Sequence, residues 1–148
     1  MVFRQPVSID ALNALSRGTI MERIGIVFTA AGEDWLQATM PVDEGTRQPY
    51  GLLHGGASVV LAETLGSCAG NLCVDAGKQV CVGLEINANH LRAMRSGSVT
   101  GTARPLHVGR STQVWEIRIE DEAGRLVCVS RITPVSYTHL TLPTKRIV

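Results

Sequence analysis

The sequence has few of the features that mark a nucleic-acid-binding or secreted protein. Its 14 lysine and arginine residues are scattered over 148 residues and balance 13 acidic residues, so no basic patch stands ready for nucleic acid. The opening stretch, "MVFRQPVSIDALNALSRG", lacks the continuous apolar run that a signal peptide requires. We therefore expect a protein with no nucleic-acid partner and no secretory leader.

Cysteine is also scarce, with four residues and no pair in a CxxC arrangement: Cys68, Cys73, Cys81 and Cys128. None of them stands at metal-ligand spacing from the four histidines. Isolated cysteines of this kind usually behave as small apolar core residues in a reducing compartment. The pattern predicts reduced thiols, a cytoplasmic location, and no metal or redox cofactor.

A long hydrophobic run that would cross a membrane is missing too. Residues 51–74 are long enough, but glycine, serine and alanine dominate them, and His54 and Glu63 interrupt them. A spanning helix needs about 20 predominantly apolar residues. The run therefore predicts a central helix buried inside a globular domain, without a membrane partner.

The remaining patterns predict an α+β fold in one domain, residues 1–134. A short amphipathic helix starts after Ser8, has Ile9, Leu12 and Leu15 on one face, and ends near Gly18. The later elements are a hairpin at 24–42, a helix at 56–75, and strands at 79–92, 97–109, 111–121 and 125–133. The strands alternate apolar with polar side chains, so we expect one antiparallel sheet wrapped around the long helix.

Residues 135–148, "VSYTHLTLPTKRIV", break this pattern. The codons GTC TCT TAT ACA CAT CTG ACG CTG CCG ACG encode residues 135–144 and match a transposase-type sequencing adapter. Residues 145–147 then correspond to a barcode. We predict that this tail is a translated adapter, and that sequencing the native gene past Thr133 gives a different ending.

Glu63 is the single carboxylate in the middle of the apolar run, and burying it requires a reason, because an unpartnered buried carboxylate costs several kcal/mol. Helical spacing sets it on a face of mostly small residues: Gly56, Val60, Ser67 and Gly70. The opposite face is predicted to pack on the sheet: Ala57, Leu61, Leu65, Cys68 and Leu72. The pattern fits either a reactive carboxylate with room for a ligand or an ion pair with an arginine at a subunit interface.

The "HGG" sequence at 54–56 favours the reactive carboxylate. It puts flexible backbone at a helix N-terminus, where free N–H groups and the positive end of the dipole attract negative charge. Such donors suit an oxyanion hole, although two glycines also serve simply to make a tight turn.

Three stretches carry a family resemblance: "QPYGLLHGGASVVLAETLGS", "VGLEINANHLR" and "PLHVGRSTQVWEIRIEDEAGRLVCVSRIT". Between about Ser8 and Thr133 the sequence resembles the hotdog-fold acyl-CoA thioesterases of the phenylacetyl-CoA and 4-hydroxybenzoyl-CoA branch. Within that branch it is most similar to the 1,4-dihydroxy-2-naphthoyl-CoA thioesterases of menaquinone biosynthesis and to the enterobactin proofreading thioesterases. The resemblance implies hydrolysis of an aromatic acyl-CoA, with no cofactor, by a homodimer or homotetramer whose active sites lie between subunits.

The resemblance also implies roles for individual residues. Glu63 acts as general base or nucleophile, and the Gly55 N–H polarises the thioester carbonyl. Three more residues are expected to position the reacting groups: Gln48, His54 and Ser67. The residues expected along the substrate and its CoA arm are Val82, Gly83, His90, Leu91, Arg92, Ala93, His107, Val108, Gly109, Arg110, Ser111 and Thr112.

Other functions stay open from the sequence alone. A hotdog hydratase or dehydratase is disfavoured because no dehydratase-type motif is present. A non-catalytic acyl-CoA sensor does not need Glu63, and a thioesterase acting on carrier-protein-bound aryl groups needs the same chemistry. The acyl group is also open, because two residues each of Phe, Trp and Tyr do not define a pocket shape.

Overall fold

A computed structural model describes residues 2–138 of the chain. They form a single domain in which one antiparallel sheet packs on one long helix, which confirms the predicted fold class. The helices are α1 (Ile9–Leu15), α2 (Ile20–Arg23) and α3 (Gly55–Leu72). The strands are β1 (Val27–Ala31), β2 (Leu36–Pro41), β3 (Gln79–His90), β4 (Ser98–Val108), β5 (Gln113–Glu120) and β6 (Leu126–Thr138).

The six strands lie in the order β1-β2-β4-β5-β6-β3, and each neighbouring pair is antiparallel. β1 and β3 are therefore the two edges of the sheet. The predicted alternation is confirmed on β5, where Trp115, Ile117 and Ile119 are fully buried. On β2 the side chains of Leu36 and Met40 point into the same core.

The α3 helix lies across the inner face of the sheet because its apolar residues and glycines allow close approach. Leu61 and Leu65 are fully buried against the sheet. A Cβ atom on Gly66 would lie 2.3 Å from Cγ2 of Ile132, so the backbone of α3 at Gly66 packs directly against the Ile132 side chain of β6. Glycine at this position is thus required by packing.

The predicted ends of α3 need correction, whereas its predicted packing face does not. The helix begins at Gly55 and ends at Leu72, earlier than the predicted 56–75, because Cys73 already has the C-cap position. The predicted sheet-facing side is confirmed: Leu61 and Leu65 are fully buried, and the half-buried Ala57, Cys68 and Leu72 pack against the same core. Gly70, predicted on the Glu63 face, is also buried, because Cys81, Gln113 and Pro134 lie within 3.5 Å of a Cβ placed on it.

The first helix confirms its predicted start but not its whole packed face. The Ser8 hydroxyl accepts a hydrogen bond from the Ala11 N–H at 3.2 Å, which caps α1. Leu12 is buried, whereas Leu15 is 72% exposed because α1 ends at that residue. The short helix α2 was not predicted.

The last strand continues past the predicted domain boundary at residue 134. Val135 pairs with Val82, and Thr138 pairs with Gln79. Residues 135–138 thus extend the hydrogen-bonded pairing of β6 with β3. The sequence did not indicate this, because apolar and polar residues alternate only weakly after Thr133. Residues 139–148 of the predicted tail lie outside the described residues, and the adapter origin stays a prediction.

Between residues 2 and 138 no helix is both long and apolar enough to cross a membrane.

Candidate active site

The N-terminus of α3 is capped by its own preceding histidine. Nδ1 of His54 accepts a hydrogen bond from the Gly56 N–H at 2.8 Å. A Cβ atom on Gly55 would lie 2.9 Å from Nε2 of His90, so the imidazole of His90 rests directly on the first residue of the helix. The Gly56 donor is thus used by the cap.

A cavity of about 390 Å³ opens beside this helix start. It contains six of the predicted site residues: Gln48, Gly55, His90, Leu91, Arg92 and Ala93. Four further residues complete its lining: Leu52, Leu53, Ser58 and Val127. The structure therefore brings the glycine at the helix N-terminus and the "HLRA" segment into one site.

The four additional lining residues were missed by the sequence analysis for different reasons. Ser58 stands one helical turn after Gly55, a spacing that could have identified it. Leu52 and Leu53 directly precede "HGG" and carry no polar signal. Val127 reaches the site only through the sheet, where its carbonyl accepts a hydrogen bond from the Leu91 N–H at 2.7 Å.

The loop that carries Gln48 is ordered by its own backbone. The Gln48 N–H donates to the Leu52 carbonyl at 2.7 Å, and the Gly51 N–H donates to the Gln48 carbonyl at 2.9 Å. Gly51 has φ +81°, a left-handed conformation that favours glycine. The Gln48 side-chain oxygen accepts from the Tyr50 N–H. The loop thus fixes Gln48 at the rim of the cavity.

Glu63 lies half-buried on α3, with its carboxylate against β3. A Cβ atom on Gly83 would lie 2.8 Å and 2.9 Å from the two Glu63 carboxylate oxygens, so only a glycine leaves this space free. The Ser67 hydroxyl stands 3.5 Å from Oε2 of Glu63, which is long for a hydrogen bond. Within residues 2–138 Glu63 forms no ion pair, and the alternative of an arginine partner at a subunit interface stays a prediction.

Glu63 and Ser67 do not line the cavity that contains Gly55. Glu63 lies eight positions after Gly55, which is about 12 Å along a helix axis. A single chain therefore does not bring Gly55 and Glu63 into one cavity, and the predicted roles of the two residues in a site between subunits stay predictions.

The predicted CoA-binding residues also divide into two groups. The β4–β5 turn is closed by a hydrogen bond from the Gly109 N–H to the Thr112 carbonyl at 2.8 Å. Thr112 bridges to Val135, which pairs with Val82. The turn 107–112 therefore shares one end of the sheet with Val82, Gly83 and the Glu63 carboxylate. The segment 90–93 follows the far end of β3, roughly 25 Å away at 3.3 Å per residue.

The cysteines supply no alternative nucleophile. Burial raises the pKa of Cys68 to about 11. Burial, and to a smaller extent the nearby Cys81 side chain, raises the pKa of Cys73 to about 11. Burial also raises the pKa of Cys81 and of Cys128. All four side chains are therefore protonated thiols near neutral pH, which are poor nucleophiles.

One antiparallel sheet wrapped on one long helix is the architecture of the hotdog fold. The chain belongs to the thioesterase superfamily, whose family profile matches residues 50–128.

Named relatives agree with this assignment. The chain is 55% identical over 133 residues to the 1,4-dihydroxy-2-naphthoyl-CoA hydrolase of Escherichia coli, covering 90% of this chain and 97% of that protein. It is also 55% identical to the proofreading thioesterase EntH of Cronobacter sakazakii, covering 90% and 96% of the two chains. A crystal structure of a mutant thioesterase from Pseudomonas aeruginosa superimposes with a TM-score of 0.92 at 50% identity, covering 93% of this chain and 99% of that one.

Proposed function

We propose that this thioesterase hydrolyses an aromatic acyl-CoA to the free acid and CoA, with Glu63 and Gly55 as its central catalytic groups. One relative at 55% identity is named a 1,4-dihydroxy-2-naphthoyl-CoA hydrolase, and another at the same identity is named a proofreading thioesterase. The names favour an aryl thioester. Because the chain is equally similar to both relatives, dihydroxynaphthoyl, dihydroxybenzoyl, hydroxybenzoyl and phenylacetyl groups are all candidate acyl groups.

The observation that carries the proposal is the environment of the Glu63 carboxylate. It is half-buried, forms no ion pair with the described residues, and faces glycine backbone at Gly83. A carboxylate used for structure is normally neutralised by a cation or by several hydrogen bonds. One without such partners is free to take a proton from water or to attack a carbonyl.

The chemistry then divides between two groups. The Gly55 N–H, at the positive end of the α3 dipole, donates to the thioester oxygen as negative charge develops there. In one route Glu63 removes a proton from water, the water oxygen bonds to the carbonyl carbon, and the C–S bond breaks to give the acid. In the other route Glu63 bonds to the carbonyl carbon and the C–S bond breaks to leave an anhydride, which water then hydrolyses to the acid and free Glu63. In both routes CoA leaves as the thiolate and takes up a proton. Gln48, His54 and Ser67 orient these groups.

A complete site needs a second copy of the chain in this proposal. Glu63 lies outside the cavity that contains Gly55, so a carboxylate from another subunit is the natural partner for that cavity. β3 offers an open edge with exposed apolar side chains, Val82 at 42% and Leu84 at 66% exposure. Joining two such edges in a homodimer covers them and sets two sites between subunits, and pairing of dimers gives a homotetramer.

The same assembly explains the two groups of CoA-binding residues. Residues 107–112 lie at the same end of the sheet as Glu63, and residues 90–93 line the same cavity as Gly55. In a site built from two chains both groups border one substrate, and Arg92 and Arg110 are then available for the CoA phosphates. No metal or cofactor takes part in this chemistry, and we expect the enzyme in the cytoplasm.

Free-thiol release from a panel of aromatic and aliphatic acyl-CoAs tests the substrate class. We expect the highest kcat/KM with bicyclic or hydroxylated aromatic thioesters. Equal or better turnover of aliphatic acyl-CoAs contradicts the aromatic assignment. Binding without thiol release indicates an acyl-CoA sensor, and turnover only of aryl groups on a carrier protein indicates the carrier-bound substrate.

A subunit-mixing experiment tests the composite site. Glu63→Gln removes the carboxylate, and Gly55→Val fills the space beside His90 at the helix start. Both variants alone should be inactive. Mixed dimers of the two contain one intact site each, so we expect about half of the wild-type activity per mixed dimer. A mixture as inactive as its components shows that each site lies within one chain.

A further inference from the structure

Asn71, in the last turn of α3, forms three hydrogen bonds through its side-chain amide. Oδ1 accepts from the Cys81 N–H at 2.8 Å, and Nδ2 donates to the Cys81 carbonyl at 2.8 Å. Nδ2 also donates to the Ser67 carbonyl at 2.9 Å. The amide therefore occupies both backbone groups of Cys81, as a neighbouring strand would.

The other edge of the sheet has the same arrangement. Asn13 of α1 accepts from the Phe28 N–H at 2.9 Å and donates to the Phe28 carbonyl at 3.0 Å. β1 and β3 are the two edge strands, so each edge is held to a helix by one asparagine. Capping an edge strand is a sufficient reason for Asn13, which has no predicted site residue beside it.

Asn71 differs because its hydrogen-bond partners, Cys81 on β3 and Ser67 on α3, lie beside or among the residues next to the Glu63 carboxylate. Gly83, two residues after Cys81 on β3, lies directly against the Glu63 oxygens. Ser67, whose carbonyl Asn71 bonds, stands between Asn71 and Glu63 on the helix and reaches Oε2 of Glu63. The clamp therefore ties the strand side and the helix side of the carboxylate site to each other.

We propose that Asn71 is a positioning residue for thioester hydrolysis, holding the start of β3 on α3 so that Gly83 keeps the Glu63 carboxylate in one orientation. This inference rests on the proposed role of Glu63. Without the clamp, Gly83 withdraws from α3 and the carboxylate gains rotational freedom. A misplacement of about 1 Å at a reacting group can cost roughly 100-fold in rate. We expect kcat to fall at least about tenfold.

The test compares Asn71→Leu with the matched variant Asn13→Leu. Both substitutions remove one asparagine clamp from an edge strand, so both should lower the thermal midpoint. Only Asn71→Leu should lower kcat. Equal kcat in the two variants, or an equal loss in both, overturns the proposal.

A double-mutant cycle separates positioning from general damage to the fold. Asn71→Leu is combined with Glu63→Gln, and residual thiol release is measured with enough enzyme to detect it. We expect Asn71→Leu to cause little further loss once the carboxylate is gone. The same fold-loss in both backgrounds overturns the positioning role.

Two provisions keep the result decisive. If Asn71→Leu does not fold, Asn71→Asp takes its place. Aspartate keeps an oxygen that accepts from the Cys81 N–H and loses the hydrogen bonds that Nδ2 donates to the Ser67 and Cys81 carbonyls. An unchanged kcat in Asn71→Asp then overturns the proposal. If the wild type releases no thiol, or Glu63→Gln stays active, the proposed function itself fails. If Glu63→Gln is inactive and Asn71→Leu is not, only the inference about Asn71 fails.

Discussion

Replacing Gly83 by alanine should lower activity while leaving the fold intact. The added Cβ would stand 2.8 Å from one Glu63 oxygen, whereas ordinary contact begins at 3.4 Å, so the carboxylate must move by about 0.6 Å. The backbone at Gly83 does not have a positive φ, and the residue is exposed, so alanine causes no strain or overpacking elsewhere. The atoms that give way belong to the flexible end of Glu63.

The magnitude follows from that displacement. If about 1 Å of misplacement costs roughly 100-fold, a shift of about 0.6 Å predicts a loss of roughly tenfold in kcat. Stability should change by less than about 0.5 kcal/mol, as for an ordinary surface substitution. Steady-state thiol release and urea unfolding, measured on the same preparation, separate the two effects.

Gly77→Ala is the matched control for this prediction. An added Cβ at Gly77 meets only Asp75 at 3.4 Å, and the residue lies in the loop before β3. It should leave kcat and stability unchanged. Full activity in Gly83→Ala refutes the reasoning, because the Glu63 carboxylate would then not work from its position against β3.

Three further predictions concern stability and reactivity. Gly66→Ala places a Cβ 2.3 Å from Ile132 in the core and should lower the free energy of unfolding by about 1–3 kcal/mol; an unchanged urea midpoint contradicts this. A hydrogen bond from the Arg125 backbone N–H is the largest cause of the lowered pKa of Asp121 in the folded protein. The ionised Asp121 therefore stabilises the fold above about pH 3.9, the pKa of an unfolded aspartate, and this stabilisation is lost as the pH falls through the pKa of the folded state. Asp121→Asn should therefore lower the thermal midpoint at pH 7 and differ little from wild type in strong acid, and a difference independent of pH argues against it. Because the pKa of Cys68 is raised to about 11, a disulfide reagent should react slowly with the native protein at pH 8 and quickly in urea, whereas fast native labelling contradicts the burial.

The strands and the core could be predicted because alternation reports directly which side chains face inward. Trp115, Ile117 and Ile119 follow this rule and are fully buried. The covering of Gly70 could not be predicted in the same way. Its small size tolerates contact on any face, and the residues that cover it, Cys81, Gln113 and Pro134, come from three different strands of the sheet.

The site was predictable where its residues are neighbours in the sequence. Gln48 and Gly55 fall on one loop and the helix start after it, and both line the cavity. Val127 joins that cavity only through the pairing of strands far apart in the chain. The distance between Glu63 and the cavity depends on which way the helix presents the carboxylate, which sequence spacing alone does not give. The Asn71 clamp was invisible for a similar reason, since a single asparagine carries no periodicity.

The central claim, that Glu63 supplies the reacting carboxylate of a thioesterase, is tested most directly by thiol release from an aromatic acyl-CoA with Glu63→Gln beside wild type. Glutamine keeps the shape of the side chain and removes its charge. We predict a loss of at least about 100-fold in kcat with an unchanged thermal midpoint. A folded Glu63→Gln variant that retains kcat within about threefold of wild type would show that the carboxylate is not part of the chemistry.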